Sequence, residues 1–374
     1  MKPYAALFVL VVGACSNTTV SPTPQASHSP TPPPPTELVV MTHDSFAVSD
    51  DVKQEFEQQS GVTVKILKSG DAGAMVNKAI LAKDAPLADV MYGVDNTFLS
   101  RALDAGIFEP YQSPALAGVS AEFQLDPDHR VTPIDYGDVC PNYDRSAFTG
   151  EVPAPATIDM LIDPQFKNML VVENPATSSP GLAFLLATVS RFGDPGLMEP
   201  PQASAAPGPT DEPGWHAYWQ DLKANGVLVS NDWNDAYYNQ FSGGSGAGDR
   251  PIVISYATSP AAEVVGVDPT PSSSPIGNVA IGCFRQVEFA AVLANGPAAA
   301  RALAQKWIDF MLSRRFQEDM PLNMFVLPVA PDVAVPDVFS QTGALIADPI
   351  RLAPSQIAVL RDRVIREWTD IVLH

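Results

Sequence analysis

The residues best equipped for chemistry fall in two short runs. Asn231-Asp232-Trp233-Asn234-Asp235-Ala236-Tyr237-Tyr238 sets an indole and phenols among carboxylates, and Ser255-Tyr256-Ala257-Thr258-Ser259-Pro260 ends an apolar stretch with an aromatic and hydroxyls. The faces of Trp233, Tyr237 and Tyr256 attract organic cations by about 0.5–2 kcal/mol each, and a nearby carboxylate adds Coulombic attraction. Together the runs suit a flat, positively charged heteroaromatic ligand, although each alone reads more readily as amphipathic surface. A third run, Asn174-Pro175-Ala176-Thr177-Ser178-Ser179-Pro180-Gly181-Leu182, leads into apolar residues. Ser179 is a good N-cap, and Pro180 fits the first helical turn because its missing N–H costs nothing there. Free amides and the hydroxyls of Thr177, Ser178 and Ser179 would cradle a phosphate or carboxylate; a plain cap explains the same residues equally well.

Catalytic signatures are absent from the sequence. It holds no G-x-S-x-G, G-x-G-x-x-G or P-loop. Of five histidines, His28 and His374 lie near the ends, and His43, His129 and His216 have no triad spacing. Lacking C-x-x-C or a Cys/His cluster, the chain predicts neither a metal site nor a cofactor.

Alternating strands and helices must position these runs. Leu38–Met41, Val62–Leu67 and Ala88–Tyr92 read as strands. Val48–Ser60, with Val52, Phe56 and Gln59 on one face, Ala72–Lys83 and Asp95–Ala105 read as helices. That order implies a parallel α/β sheet, in which ligands bind beyond the carboxyl ends of the strands. The tips His43-Asp44-Ser45, Ser69-Gly70-Asp71 and Gly93-Val94-Asp95-Asn96 are therefore candidates. A second α/β region, from about Tyr136 to Cys283, contains strands Met169–Val172 and Pro251–Tyr256 and a helix from Pro180. Its Pro- and Ala-rich stretch Glu199–Pro213 reads as a disordered insertion. Strand Gln286–Leu293 leads back, and two amphipathic helices, near Ala298–Arg315 and after Pro354, close the chain.

The start of the chain addresses location. Lys2, the apolar run Ala5–Val12 and Gly13-Ala14-Cys15 form a signal peptide, too short to span a bilayer. Small residues before Cys15 resemble a bacterial lipobox, so residues 1–15 are expected to be a lipoprotein signal ending at a lipidated Cys15. Residues 16–36, rich in Ser, Thr and Pro, read as a tether. The 374 residues carry a net charge of −20, which argues against nucleic acid as a partner, and 46% hydrophobic content suffices for two lobes. Outside the membrane, Cys140 and Cys283 make an even pair for which one disulfide is economical; two buried thiols are the alternative.

Thr42-His43-Asp44-Ser45-Phe46, Gly93-Val94-Asp95-Asn96, Ile134-Asp135-Tyr136-Gly137, Thr177–Gly181, Trp233–Tyr237 and Ser255–Ala261, in this order, resemble the thiamine-binding proteins of ABC importers, a branch of the periplasmic binding proteins. The similarity runs from Leu38 to Trp368. It implies a type II two-lobed α/β fold with the ligand between lobes: 37–135, 136–283, and a return to the first lobe over 284–374. Asp135–Gly137 and the strand after Cys283 would be the crossings, placing Cys140 and Cys283 at the hinge. The resemblance further implies a monomer that binds thiamine or a thiamine phosphate and passes it to a permease and its ATPase. By position, Asp71, Trp233 and Tyr256 would hold the rings, and Ser178 and its neighbours a hydroxyl or phosphate end. His43 stands where the family often has Tyr, and Met324, beside Phe325, where a Trp is common. His43, Asp44, Asp71, Asp95, Thr177, Ser178, Ser179, Trp233, Tyr237, Tyr256, Ser259 and Phe325 complete the expected ligand set. Ferric-ion binding on the same fold is the rival expectation, although Tyr256 is followed by Ala257 where ferric binders typically pair tyrosines.

Overall fold

The computed structural model describes residues 36–150, 152–194, 214–269, 271 and 273–374. The expected signal, Cys15, nearly all of the tether and the 199–213 insertion lie outside them. The described chain is a two-lobed α/β protein built on one curled sheet.

Three strand–helix units come first. Strands β1 (Glu37–Thr42), β2 (Thr63–Lys68) and β3 (Val90–Asp95) alternate with helices α1 (Asp50–Ser60), α2 (Ala72–Leu81) and α3 (Leu99–Asp104). Short β4 (Phe108–Glu109) precedes the long β5 (Thr132–Asp144). Next come β6 (Leu170–Glu173), α4 (Ser179–Phe192), α5 (Trp215–Ala224), β7 (Leu228–Ser230), β8 (Ile252–Tyr256), α6 (Ser259–Ala262) and β9 (Ile276–Asn278). The chain returns through β10 (Phe284–Leu293) and ends with α7 (Ala298–Met311), α8 (Arg314–Asn323), β11 (Leu327–Pro328), α9 (Asp337–Gln341) and α10 (Pro354–Val372).

The strand order β2-β1-β3-β10-β5-β8-β6-β7 makes β5 and β10 the shared centre. β1 pairs in parallel with β2 and β3, and β6 in parallel with β7 and β8; β10 runs antiparallel to β3 and β5. The two long strands therefore carry the chain between the halves, and Asp135 on β5 faces Glu288 on β10 in register. Cys140 and Cys283 form a disulfide beside this crossing. Among the described residues no helix is long and apolar enough to cross a membrane.

Several boundaries differ from expectation. The first helix starts at Asp50, because extended Ser49 precedes it, and it ends at Gly61 in the left-handed region. Val52 and Phe56 are buried, but Gln59 faces solvent and donates to Glu55. Asp95 ends β3 instead of opening a helix: its carboxylate accepts from the Thr97 amide at 2.7 Å and fixes the turn into α3. The 298–315 helix is two helices, since Ser313, extended, caps α8 through the Phe316 amide.

Gly93 has a strict backbone requirement. Its φ is +97°, and a Cβ there would stand 2.3 Å from His43 Cδ2. Gly93→Ala is expected to cost about 1–2 kcal/mol from backbone strain, plus displacement of His43; urea denaturation checks it, and an unchanged midpoint contradicts it.

Candidate functional site

A cleft of about 410 Å³ lies between the two halves of the sheet, lined from both. The first half contributes His43 and Ser45 after β1, Asp71 and Ala72 at the start of α2, and Glu288 of β10. The second contributes Ser179 and Pro180, Trp233, Tyr237 and Tyr238, and Tyr256, Thr258, Ser259, Ala262 and Glu263; the segment after α8 adds Met324 and Phe325.

One wall is aromatic. Residues Asp235–Gln240 form a π-helical turn, which brings Tyr237 beneath Trp233, their rings stacked at 5.0 Å and 22°. Tyr238 packs edge-on to the indole at 5.6 Å and Tyr256 at 6.4 Å. The indole N–H donates to Ser255 Oγ at 2.9 Å, fixing the ring plane. Gln286 Nε2 donates to the Tyr256 hydroxyl at 3.1 Å. Phe325, opposite in chain position, adopts φ +55°, an uncommon conformation for a bulky residue and one that marks a constrained site.

Acids supply the charge. Asp71 caps α2 by accepting from the Ala72 amide at 2.7 Å and reaches across to the Trp233 amide at 3.1 Å. Burial pushes its carboxyl up to about 6, against the pull of the Ser178 hydroxyl and these amides. Beneath the cleft, Tyr92 donates to Asp135 at 2.6 Å and to Glu288 at 3.2 Å. Burial raises both carboxyls, and their proximity raises Glu288 further, so the pair holds a proton well above the ordinary carboxylate range. His43 Nε2 lies 3.6 Å from Glu288, yet burial lowers the imidazole to about 4 and keeps it neutral. Glu263 accepts from Tyr237 at 2.7 Å and from Ser245 at 2.8 Å.

The structure brings His43, Asp71, Ser179, Trp233, Tyr237, Tyr256, Ser259 and Phe325 to the cleft wall. Four of the expected residues stand behind it. Asp44 is exposed and accepts from the Gly70 amide at 2.8 Å, a loop-bracing role. Asp95 is buried and accepts from the Ser179 hydroxyl, binding the halves together. The Thr177 hydroxyl donates to the Asn231 carbonyl at 2.7 Å, and its own carbonyl accepts from the Gly73 and Ala74 amides. Ser178 is fully buried at the N-cap of α4. Two hydroxyls of the expected anion cradle, those of Thr177 and Ser179, are thus taken by a carbonyl and a carboxylate of the protein itself.

Glu288 and Glu263 were missing from the expected set. Glu288 had a signal, a lone acid within an apolar strand; Glu263 had none, since it follows a four-residue helical turn whose placement depends on the fold. Among the described residues no group of three His, Cys, Asp or Glu is arranged to hold a metal ion.

This geometry sets aromatic faces and carboxylates around one cleft between the two halves of the sheet. Residues 85–344 match the bacterial extracellular solute-binding protein family. The thiamine-binding periplasmic protein of Salmonella typhimurium is 30% identical over 90% of this chain and 93% of its own length. A solved periplasmic thiamin-binding protein superposes with a TM-score of 0.74 at 27% identity, over 90% of this chain and 96% of that one. The ferric-binding protein of Campylobacter jejuni, at 15% identity with a TM-score of 0.67 over 89% and 99%, shares the fold. By its sequence over most of its length and by its architecture, this chain belongs to the bacterial extracellular solute-binding proteins.

Proposed function

We propose that the protein is an extracytoplasmic lipoprotein, anchored through Cys15, that captures thiamine or a phosphate ester of it for an ABC permease and its ATPase. It acts as a monomer by stoichiometric binding without turnover, with lobes over 37–135 and 136–283 and a return over 284–374. The supporting observation is the meeting of Trp233 and Tyr256 with Asp71 and Glu288 across one cleft. A thiazolium ring gains cation–π attraction from the aromatic wall and charge attraction from the Asp71 carboxylate. Hinge closure would be stabilised by ligand contacts that join the halves, alongside the Asp71–Trp233 and Thr177–Gly73 hydrogen bonds already bridging them.

Ferric binding is the weaker reading, because Tyr237 is buried with its hydroxyl on Glu263 and Tyr256 is followed by Ala257. Calorimetric titration decides: a saturable heat at one thiamine per chain is expected, and no heat with thiamine, together with colour on adding ferric salts, would reverse the assignment.

A pH dependence follows from Asp71. A cation favours its carboxylate, so binding expels any proton held there. With the group raised to about 6 by burial, affinity is expected to be full above that pH and to fall as pH drops through it, by at most about tenfold per unit. Titrations at about pH 5 and 7.5 check this; equal affinities would contradict it.

A further inference from the structure

The β5–β10 crossing has a second face, turned away from the cleft. Successive residues of a strand point to opposite faces of its sheet. On β10, Glu288 lines the cleft and Gln286 reaches Tyr256 in the cleft wall. Arg285 and Val287 therefore stand on the other side, with register partners Asp138 and Tyr136 on β5. A pocket of about 320 Å³ opens there, and Phe123, Leu125, Arg351 and Leu352 line it together with Arg285 and Val287.

Two guanidiniums share this pocket in a chain of net charge −20. Arg285 is held in place: its Nε and Nη2 donate to Asp138 at 2.6 and 3.2 Å. Its guanidinium lies 4.6 Å over the Tyr136 ring, against which Phe123 stacks at 4.7 Å. Arg285 Nη1 has no hydrogen-bond partner among the described residues. Arg351 is exposed, and among the described residues neither a hydrogen bond nor an ion pair engages it. Its charge is nonetheless felt at Asp138, so both guanidiniums gather about one carboxylate. Helix α10 opens at the same rim with Pro354, adding the positive end of its dipole. Glu122, the one acid among the described lining residues, is exposed and screened by water. Phe123, Val287 and Leu352 are buried and give the pocket an apolar floor.

We propose that this pocket is a second binding site, for a small carboxylate that carries an apolar body. The carboxylate sits between Arg351 and Arg285 Nη1, and the body covers Phe123, Leu125 and Leu352. Arginine presents paired N–H donors that match two carboxylate oxygens, and burial of the apolar body adds hydrophobic attraction. With Asp138 and Glu122 close by, a monoanion suits the charge better than a phosphate dianion. The sheet itself separates this site from the cleft.

The test is calorimetric titration of the purified full chain with hexanoate at two temperatures, beside neutral hexanamide and inorganic phosphate. Hexanoate is expected to saturate at one equivalent, and hexanamide to bind at least about tenfold more weakly for want of a charge. Inorganic phosphate, with no apolar body, is also expected to bind more weakly than hexanoate. No saturable heat from hexanoate at either temperature, or equal binding of either comparison compound, overturns the proposal. Arg351→Gln changes an exposed side chain and is expected to weaken hexanoate about tenfold, with thermal melts establishing folding; an unchanged affinity overturns the site. Saturating thiamine should leave hexanoate binding saturable, because the two occupy opposite faces of the crossing. Abolition of the hexanoate isotherm by thiamine would place both in the cleft and overturn the second site.

Discussion

Alanine at position 233 is expected to weaken thiamine binding by about 1–3 kcal/mol, roughly a five- to hundred-fold rise in Kd. The indole is held for this purpose from three sides. Tyr237 stacks beneath it at 5.0 Å, Tyr238 abuts its edge, and the ring N–H is tied to Ser255. A ring so fixed loses little freedom on binding, so most of its stacking and cation–π attraction reaches the affinity. Tyr256→Ala is expected to act in the same direction, because its ring closes the adjacent corner of the cleft. Trp233 and Tyr256 are neighbours, so the double variant should depart from the sum of the singles. Calorimetry on the three variants checks this, with thermal melts to establish folding. Folded variants with wild-type affinity would remove these residues from the site.

Loss of the disulfide is expected to have the largest effect on stability. Cys140 and Cys283 are 143 residues apart in sequence, and opening a loop of that length costs about 4–5 kcal/mol through the entropy of the unfolded chain. The bridge joins β5 to the residue before β10, the strands that carry the chain between the halves. The pair Arg285–Asp138, with N–H to carboxylate at 2.6 Å, reinforces the same crossing. Both sulfurs are buried, so a reductant should act mainly after unfolding. The Cys140→Ala, Cys283→Ala double variant should unfold at distinctly lower denaturant concentration than the wild type. Coincident denaturation curves would show that the crossing does not depend on the bridge. Thiol titration of denatured, unreduced protein lacking Cys15 should find no free thiol.

Much of this arrangement was legible before any coordinates. Strand–helix alternation over 38–105 gave the parallel half-sheet, because apolar runs such as Leu38–Met41 have only one way to be buried on both faces. The aromatic and acidic run around Trp233 was readable only together with Ser255–Pro260, since either run alone reads as amphipathic surface. The α4 start was legible to within one residue: Ser178 is the N-cap in place of the expected Ser179, and Ser179-Pro180 form the first turn.

What the sequence withheld depends on long-range pairing. Thr177, Ser178 and Ser179 looked like an anion cradle, since nothing local showed that Asp95, far away in the chain, would take the Ser179 hydroxyl. Glu288 passed as part of a returning strand; only its register opposite Asp135 reveals a buried carboxyl pair under the cleft. Asp95 itself was assigned to a helix because its neighbours have helical pattern, yet the Gly93 conformation and the bond to Thr97 keep it at a strand end. Helix α8 was merged with α7 because the Ser313 cap is a single residue between two apolar faces.

A crystal structure of the chain with thiamine bound tests the central claim most directly. The account predicts the thiazolium and pyrimidine rings in the interlobe cleft, against the faces of Trp233 and Tyr256 and within reach of Asp71. Thiamine lying outside that cleft, or a saturated crystal with the Trp233 wall bare, would contradict it.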